Sequence, residues 1–334
     1  MTRRQVAAVL ILAISTIVTA CTVPVVSPLE PTSEPPKPSA TTPIPEEKPA
    51  GAAPMFSEVA VWGAEPAGDI SFTFPNGIAI DNDDNVYTIE FQGNRVQKFS
   101  PQGKLLTQWG SQGSADGEFL NPTGIAIDSV GNVYVSESGN HRIQKFTAEG
   151  EWIISFGAQG VNPGEFLSAM VIAIDEFDNL YITDWGNGRV QVFDSLGTFL
   201  NTLSEPGTAE GMLTNPTGIK FDDEGNLWVV DRGNHRVQKF TAQGKLLAVY
   251  GSQGEGEGQF LVPTSINFDS EGNFFVSEVN NSRVQAFSPE GKFLGEVAAG
   301  LLQMPHGLAF DSTGALYIAD TGNGLVRKFV PLAP

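Results

Sequence analysis

The chain is poor in the residues that support disulfide and metal chemistry. Its 334 residues include one cysteine and three histidines. A single cysteine excludes an intrachain disulfide and a cysteine-rich zinc site, and three histidines leave little material for other metal centres. Basic residues are also scarce, since 19 of them stand against 38 acidic residues and the net charge is −19. Such a surface repels phosphate backbones, so we expect no nucleic-acid partner.

Long hydrophobic runs are missing as well. The first apolar stretch, residues 6–18, follows Arg3 and Arg4 and is 13 residues long without a charge. A bilayer core of ~30 Å needs ~20 residues, so this stretch is typical of a signal peptide. It ends at Val18-Thr-Ala-Cys21, which resembles a bacterial lipobox. We therefore expect residues 1–21 to be a lipoprotein signal peptide, with Cys21 lipidated and the chain anchored to a membrane of the cell envelope on its extracytoplasmic side. The alternative is an ordinary signal peptide in which Cys21 is incidental.

Residues 22–55 lack the apolar content of a folded core. Ten of these 34 residues are proline, and most of the others are Thr, Ser, Ala and Glu. Such a composition favours extended polyproline conformations without a packed interior. We expect this segment to be a disordered linker that separates the folded part from the membrane.

From residue 56 onward the chain repeats itself. Arginines recur every 47 residues at Arg95, Arg142, Arg189, Arg236 and Arg283, and Leu325 holds the sixth place 42 residues later. Each unit contains four short segments with the alternation or apolar character of strands, separated by turn residues, as in residues 122–157. Four antiparallel strands per repeat predict propeller blades, so we expect residues 56–334 to form an all-β, six-bladed β-propeller.

The two ends of the repeat region complement each other. The last unit stops without a fourth strand, and the segment Glu58-Val-Ala-Val-Trp62 precedes the first complete unit without partners. We expect this N-terminal strand to complete the last blade and close the ring, with Val59 and Val61 buried.

The units resemble NHL repeats. The likeness is carried by Pro122-Thr-Gly-Ile-Ala-Ile-Asp128, Gly131-Asn-Val-Tyr-Val-Ser-Glu137 and Asn140-His-Arg-Ile-Gln-Lys-Phe146, and it recurs almost intact at residues 216–240. The resemblance implies a propeller scaffold, which hosts many activities. NHL-type propellers include protein- and RNA-binding domains, sensor domains and peptidylamidoglycolate lyase, the zinc enzyme that completes peptide amidation.

The resemblance to that lyase also suggests an enzymatic alternative near His306. The lyase holds zinc with three histidines, each directly after the proline that opens an inner strand. In this chain those places are occupied by Asn76, Thr123, Met170, Thr217, Thr264 and His306. A catalytic zinc normally needs three protein ligands, so the lyase chemistry is not expected, and neither a metal nor another cofactor is expected. Calcium-dependent lactonases are a second comparison, but they need carboxylates that these places do not supply.

Comparison of the repeats with one another separates scaffold from candidate site. An acidic residue precedes each arginine place by five residues, and we expect it to pair with the arginine as a structural element. The residue after that acid differs in every unit: Phe91, Ser138, Trp185, Arg232, Val279 and Thr321. These residues and the post-proline places should lie at the same end of the propeller, where concave surfaces bind ligands.

The candidate ligand-binding residues are therefore His306, Asn76, Met170, Phe91, Trp185 and Arg232, with no catalytic residue assigned. The leading hypothesis is a non-enzymatic, lipid-anchored module that binds a protein, a peptide or a small molecule through this end. The alternative is a metal-dependent lyase or lactonase related to peptidylamidoglycolate lyase, with its site near His306 and Asn76.

Overall fold

The computed structural model describes residues 55–63 and 70–332. The signal peptide, Cys21 and all but the last residue of the linker lie outside the described residues, so these assignments stay predictions. Among the described residues, no helix is long and apolar enough to cross a membrane.

The described residues form six four-stranded antiparallel sheets, each one blade of a propeller. The first blade contains β2 (Pro75–Ile80), β3 (Val86–Glu90), β4 (Arg95–Phe99) and β5 (Leu105–Trp109). The second contains β6 (Pro122–Ile127), β7 (Val133–Glu137), β8 (Arg142–Phe146) and β9 (Trp152–Phe156). The third contains β10 (Ala169–Ile174), β11 (Leu180–Asp184), β12 (Arg189–Phe193) and β13 (Phe199–Leu203).

The remaining blades continue the same order. The fourth contains β14 (Ile219–Phe221), β15 (Asn226–Asp231), β16 (Arg236–Thr241) and β17 (Leu246–Tyr250). The fifth contains β18 (Pro263–Phe268), β19 (Phe274–Glu278), β20 (Arg283–Phe287) and β21 (Phe293–Val297). The sixth contains β22 (Pro305–Phe310), β23 (Leu316–Asp320), β24 (Leu325–Pro331) and β1 (Phe56–Trp62). Short 3-10 turns at Arg232–Asn234 and Thr321–Asn323 connect the second and third strands of blades four and six. The predicted all-β six-bladed propeller is confirmed.

β1 closes the ring as expected, but a different set of side chains faces inward. It pairs antiparallel with β24, and its register shifts between Glu58 and Ala60. The irregularity leaves Val59 54% exposed, whereas Trp62 is buried. The expected burial of Val59 was therefore wrong, and Val61 is half-buried. A single extra residue reverses which side chains face the core, and this reversal does not show in the alternating pattern.

The hydrophobic core lies between the blades and not at the centre of the ring. Six clusters of buried residues fill the six junctions between neighbouring blades. Trp62 belongs to the cluster between blades six and one, where its ring lies 5.3 Å from Phe99 and 5.6 Å from Tyr317. Since each blade buries both faces against its neighbours, the closing strand completes two junctions at once.

The acid–arginine pairs are structural, as the sequence predicted. In blades one to five the buried carboxylate accepts from the arginine five residues later, as Glu137 does from Arg142 at 2.6 Å. Blade six has Leu325 at that place, and Arg327 takes over the carboxylate of Asp320 at 2.5 Å. Its guanidinium also binds Glu58 on β1 at 2.7 Å. The ion pair of the last blade thus holds the closing strand.

Replacing Thr88 with valine is expected to stabilise the protein. The hydroxyl of Thr88 is buried without a hydrogen-bond partner. The equivalent places of the other blades hold Val135, Ile182, Val229, Val276 and Ile318. Because an unsatisfied buried hydroxyl costs ~1–3 kcal/mol, Thr88→Val should raise the free energy of unfolding by about 1 kcal/mol in urea denaturation. The control Thr183→Val removes a bonded hydroxyl and should destabilise, whereas a destabilised Thr88→Val would show that this hydroxyl has a partner.

Candidate functional site

The loop-bearing end of the propeller contains a cavity of about 420 Å³, which we call the upper cavity. It lies where the inner strands begin and where the loops between second and third strands converge. All six candidate residues from the sequence line it: Asn76, Phe91, Met170, Trp185, Arg232 and His306. The structure therefore brings together residues that are up to 230 positions apart (306 − 76). Their role as ligand contacts stays a prediction.

In blades one, two, three and five, the residue after the buried acid is held by a hydrogen bond to the backbone of the preceding inter-blade connection. The Phe91 amide donates to the Phe74 carbonyl at 2.9 Å, and the Trp185 amide donates to the Ser168 carbonyl at 3.0 Å. These bonds fix the backbone, so that the side chain is free to vary. Trp185 is 38% exposed at the cavity mouth. Two members of this set do not line the cavity, because Val279 is buried and the hydroxyl of Thr321 donates to the Pro75 carbonyl.

The post-proline places divide into two structural groups. Thr123, Thr217 and Thr264 are buried, and their hydroxyls donate to backbone carbonyls of the next blade, as Thr123 does to Ala169 at 3.0 Å. Threonine at these places therefore joins neighbouring blades. Asn76, Met170 and His306 depart from threonine, and their half-buried side chains line the cavity. The sequence comparison identified the right places without revealing what threonine does there.

His306 is neutral at physiological pH and has a fixed tautomer. Its Nδ1 lies 2.9 Å from the Met304 carbonyl, which can only accept, so Nδ1 carries the proton and Nε2 the lone pair. Desolvation is the main cause that lowers the pKa of His306 to about 4; the positive charge of Arg232 also lowers it, and the hydrogen bond to the Met304 carbonyl opposes both. No described residue is hydrogen-bonded to Nε2, so this nitrogen can accept a hydrogen bond or a proton from a ligand.

Acid should destabilise the protein through His306. The folded pKa of about 4 lies below the unfolded value of 6.5, so the unfolded chain takes up the proton first as the pH falls. Stability that is fully present above pH ~6.5 is then lost down to pH ~4. Between pH ~7.5 and ~4.5 this amounts to about 2.5 kcal/mol in the free energy of unfolding. Urea denaturation at the two pH values measures this loss, and we expect it to be smaller by that amount in His306→Gln than in the wild type. Equal losses in the two proteins would contradict a neutral His306 in the folded state.

Lys220 is a cavity residue that the sequence reasoning missed. It lies on β14, deep in the channel, and lines both the upper cavity and a second cavity towards the other end, the lower cavity. Desolvation lowers the pKa of its ammonium group. The same inner-strand place in the six blades holds Ala79, Ala126, Ala173, Lys220, Asn267 and Ala309. A comparison of the repeats extended three residues past the post-proline place would have found it.

The other histidines serve the loops of the scaffold. His141 and His235 both have left-handed backbone angles, with φ of 55°. Both are half-buried, and Nδ1 of His235 accepts from the Val262 amide at 3.2 Å. Asp81 behaves as a turn residue, because its carboxylate accepts from the amides of Asp83 and Asn85.

A three-histidine zinc site does not fit these residues. Of the post-proline places only the one in blade six holds a histidine, and no group of three His, Cys, Asp or Glu residues in the described parts of the chain is placed to hold a metal ion.

The comparisons with known proteins agree with this architecture. The NHL repeat family matches residues 119–146, 213–240 and 302–329, which lie in blades two, four and six. No protein of curated function matches the chain significantly.

Solved structures with the same fold include two bacterial enzymes. A catalytically inactive variant of virginiamycin B lyase from Staphylococcus aureus with quinupristin has a TM-score of 0.58 and 16% identity, over 77% of this chain and 80% of that chain. A gluconolactonase from Xanthomonas campestris has a TM-score of 0.61 and 19% identity, over 86% of this chain and 99% of that chain. Identities this low show a shared fold and no more. The described residues, 55–63 and 70–332, form a six-bladed β-propeller in which three segments match the NHL repeat.

Proposed function

We propose that this protein is a ligand-binding module, lipid-anchored at Cys21 on the extracytoplasmic side of a cell-envelope membrane. The observation that carries the binding role is the convergence of the departures from the repeat pattern. All six post-proline places line the upper cavity. Asn76, Met170 and His306 replace the threonine that joins blades elsewhere, so that three side chains of different chemistry face one cavity.

The size and lining of the upper cavity suit a small ligand or one side chain of a peptide. Its volume of about 420 Å³ falls within the ~300–1,000 Å³ typical of small-molecule sites. Apolar side chains such as Trp185 and Met170 provide contact area, and Arg232, Asn76 and His306 provide a few polar groups. Such a combination binds the body of a ligand by burial and fixes its orientation by hydrogen bonds.

A fragment screen tests the binding role. Ligand-observed NMR of the purified protein with neutral, anionic and cationic fragments should identify binders that Trp185→Ala weakens. The matched control is Trp152→Ala, because Trp152 is similarly exposed but lies on the outer strand β9 of blade two. A set of hits that Trp185→Ala leaves unchanged would overturn the assignment of the upper cavity as the binding site.

The membrane anchor has its own test. The wild-type protein should incorporate labelled fatty acid and sediment with membranes, whereas Cys21→Ser should do neither. Equal labelling of the two proteins would overturn the lipidation of Cys21.

An enzyme remains the second candidate because of His306. The bare Nε2 of its neutral imidazole offers a lone pair inside a cavity, which is the geometry of a general base, although a pKa of about 4 makes it a weak base at neutral pH. Two proteins of the same fold are described as a lyase and a gluconolactonase. Turnover of a lactone or a depsipeptide that disappears in His306→Gln would establish this function, and metal analysis of the same preparations would show whether a metal takes part.

A further inference from the structure

The upper cavity is lined by cations and contains no acid. Among the described residues that line it, Arg232 and Lys220 are the charged groups, and neither Asp nor Glu occurs. This composition is unusual in a chain with 38 acidic and 19 basic residues. At the ratio of the whole chain, two acidic residues accompany each basic one.

The other basic residues of the described chain are accounted for. Six arginines pair with buried carboxylates, at Arg95, Arg142, Arg189, Arg236, Arg283 and Arg327. Four lysines pair with the aspartates that open the turns, at Lys98, Lys145, Lys239 and Lys328. Lys104, Lys245 and Lys292 lie in turns on the outside of the ring.

Arg232 and Lys220 are different, because neither forms an ion pair or a side-chain hydrogen bond with a described residue. Arg232 is half-buried, and Lys220 lies in the channel with its side chain exposed to the solvent there. Desolvation lowers the pKa of both groups, which means that enclosure disfavours their charged forms. The chain has enough acids to neutralise them and places none there. The missing counter-charge is therefore a property of the site, and an anionic ligand would supply it.

We propose that the upper cavity binds an amphipathic oxyanion, a carboxylate or phosphate attached to an apolar body. The oxyanion contacts Arg232 and Lys220, and Asn76 can donate a further hydrogen bond. The apolar body packs against Trp185, Met170 and Phe91. Both cations belong to blade four, with Arg232 on the loop at the mouth and Lys220 deeper on β14, so the oxyanion lies on the blade-four side of the channel.

The charges that line the lower cavity also favour an anion in the upper cavity. Its lining includes Asp222, Asp223, Asp269 and Asp311, and Lys220 is its single basic residue among those described. Lys239 and Lys328 neutralise Asp222 and Asp311, whereas Asp223 and Asp269 form no ion pair with a described residue. An anion is therefore less favoured at that end than at the other. The channel is thus electrically polarised along its axis, and an anionic ligand is selected for entry from the loop end.

This inference rests on the proposed function and is tested with four matched probes. Phenylacetate and benzyl phosphate carry an oxyanion, phenylacetamide is neutral and phenethylamine is cationic. Dissociation constants of the purified protein are measured by ligand-observed NMR. Both oxyanions, or one of them, should bind at least about tenfold more tightly than the amide, and their ratio distinguishes a carboxylate from a phosphate ligand.

Variants of Arg232 and Lys220 test whether these two side chains bind the oxyanion. Arg232→Gln and Lys220→Ala should each weaken oxyanion binding at least about tenfold and leave amide binding unchanged. Lys220→Ala restores the alanine of four other blades, so folding is preserved, and Lys104→Ala is the control for net charge. Equal affinity for the amide and the oxyanions, or oxyanion binding that neither variant weakens, overturns the inference. The proposed function survives that result if Trp185→Ala still weakens the amide, and it fails separately if no fragment of the screen depends on Trp185.

Discussion

Deletion of residues 56–63 should leave a chain that does not fold into a stable monomer. The deletion removes β1, opens the edge of β24, and exposes the junctions that Trp62 and Phe56 fill. Burial of two large aromatic side chains contributes ~3–6 kcal/mol, which is comparable with the ~5–15 kcal/mol net stability of a typical domain. An unpaired edge strand also recruits other chains, so aggregation should accompany the loss of stability.

Thermal unfolding and size-exclusion chromatography measure this effect. A deletion of residues 22–54 serves as the control, since it leaves all described residues in place. Two point variants of β1 distinguish its buried face from its exposed face. Trp62→Ala should lower the free energy of unfolding by ~3–5 kcal/mol, and Val59→Ala should lower it by no more than ~0.5 kcal/mol. An unchanged melting temperature for the 56–63 deletion would contradict closure of the ring by β1.

Among the side chains of blade six that are not fully buried, Arg327 should be the one whose replacement, Arg327→Gln, lowers the free energy of unfolding most. It leaves the buried carboxylate of Asp320 without its cation and breaks the ion pair with Glu58 on β1. Removal of one partner from a buried ion pair costs ~3–5 kcal/mol, because the remaining charge stays desolvated. Urea denaturation at neutral pH measures the loss.

The other blades suggest the rescue for this variant. In blades one to five the arginine stands two places earlier and a glutamine stands at the place of Arg327, as Arg142 and Gln144 do around Glu137. The double variant Leu325→Arg with Arg327→Gln recreates that arrangement. It should recover at least about half of the lost stability, and the remaining deficit reflects the broken bond to Glu58. A double variant as unstable as Arg327→Gln alone would show that the two arrangements are not equivalent.

The sequence predicts this fold well because the repeat supplies many copies of one pattern. The spacing of 47 residues, four strands in each unit and a spare strand at the start lead directly to a closed ring. In the second unit the sequence pattern predicts strands at Val133–Glu137, Arg142–Phe146 and Trp152–Phe156, and these are the bounds of β7, β8 and β9. Local pattern and global fold agree at nearly every place, as expected for a repeat protein.

The errors arise where one residue breaks the pattern. The register shift in β1 exposes Val59, and the alternating sequence of residues 58–62 does not indicate such an irregularity. In blade six the arginine that pairs with the buried acid lies two residues later than in the other blades, at Arg327, and Leu325 holds the usual place. A search for arginine at the fixed spacing of the repeat therefore does not find it. Both exceptions occur where the first and last segments of the ring meet.

The candidate site could be predicted in position but not in chemistry. Comparison of equivalent places found six residues of the upper cavity, although they are distant in the sequence. It missed Lys220, because the comparison stopped at the entrance of the inner strands. It also could not show that Arg232 lacks the carboxylate that every other described arginine has, since pairing depends on the folded loops.

A crystal structure of the protein with the tightest-binding compound of the fragment screen tests the central claim most directly. We predict that the compound occupies the upper cavity, in contact with Trp185 and Arg232. Binding in the lower cavity or on the outer side of a blade, with the upper cavity left unoccupied, would contradict the claim that the departures from the repeat pattern together form the ligand site.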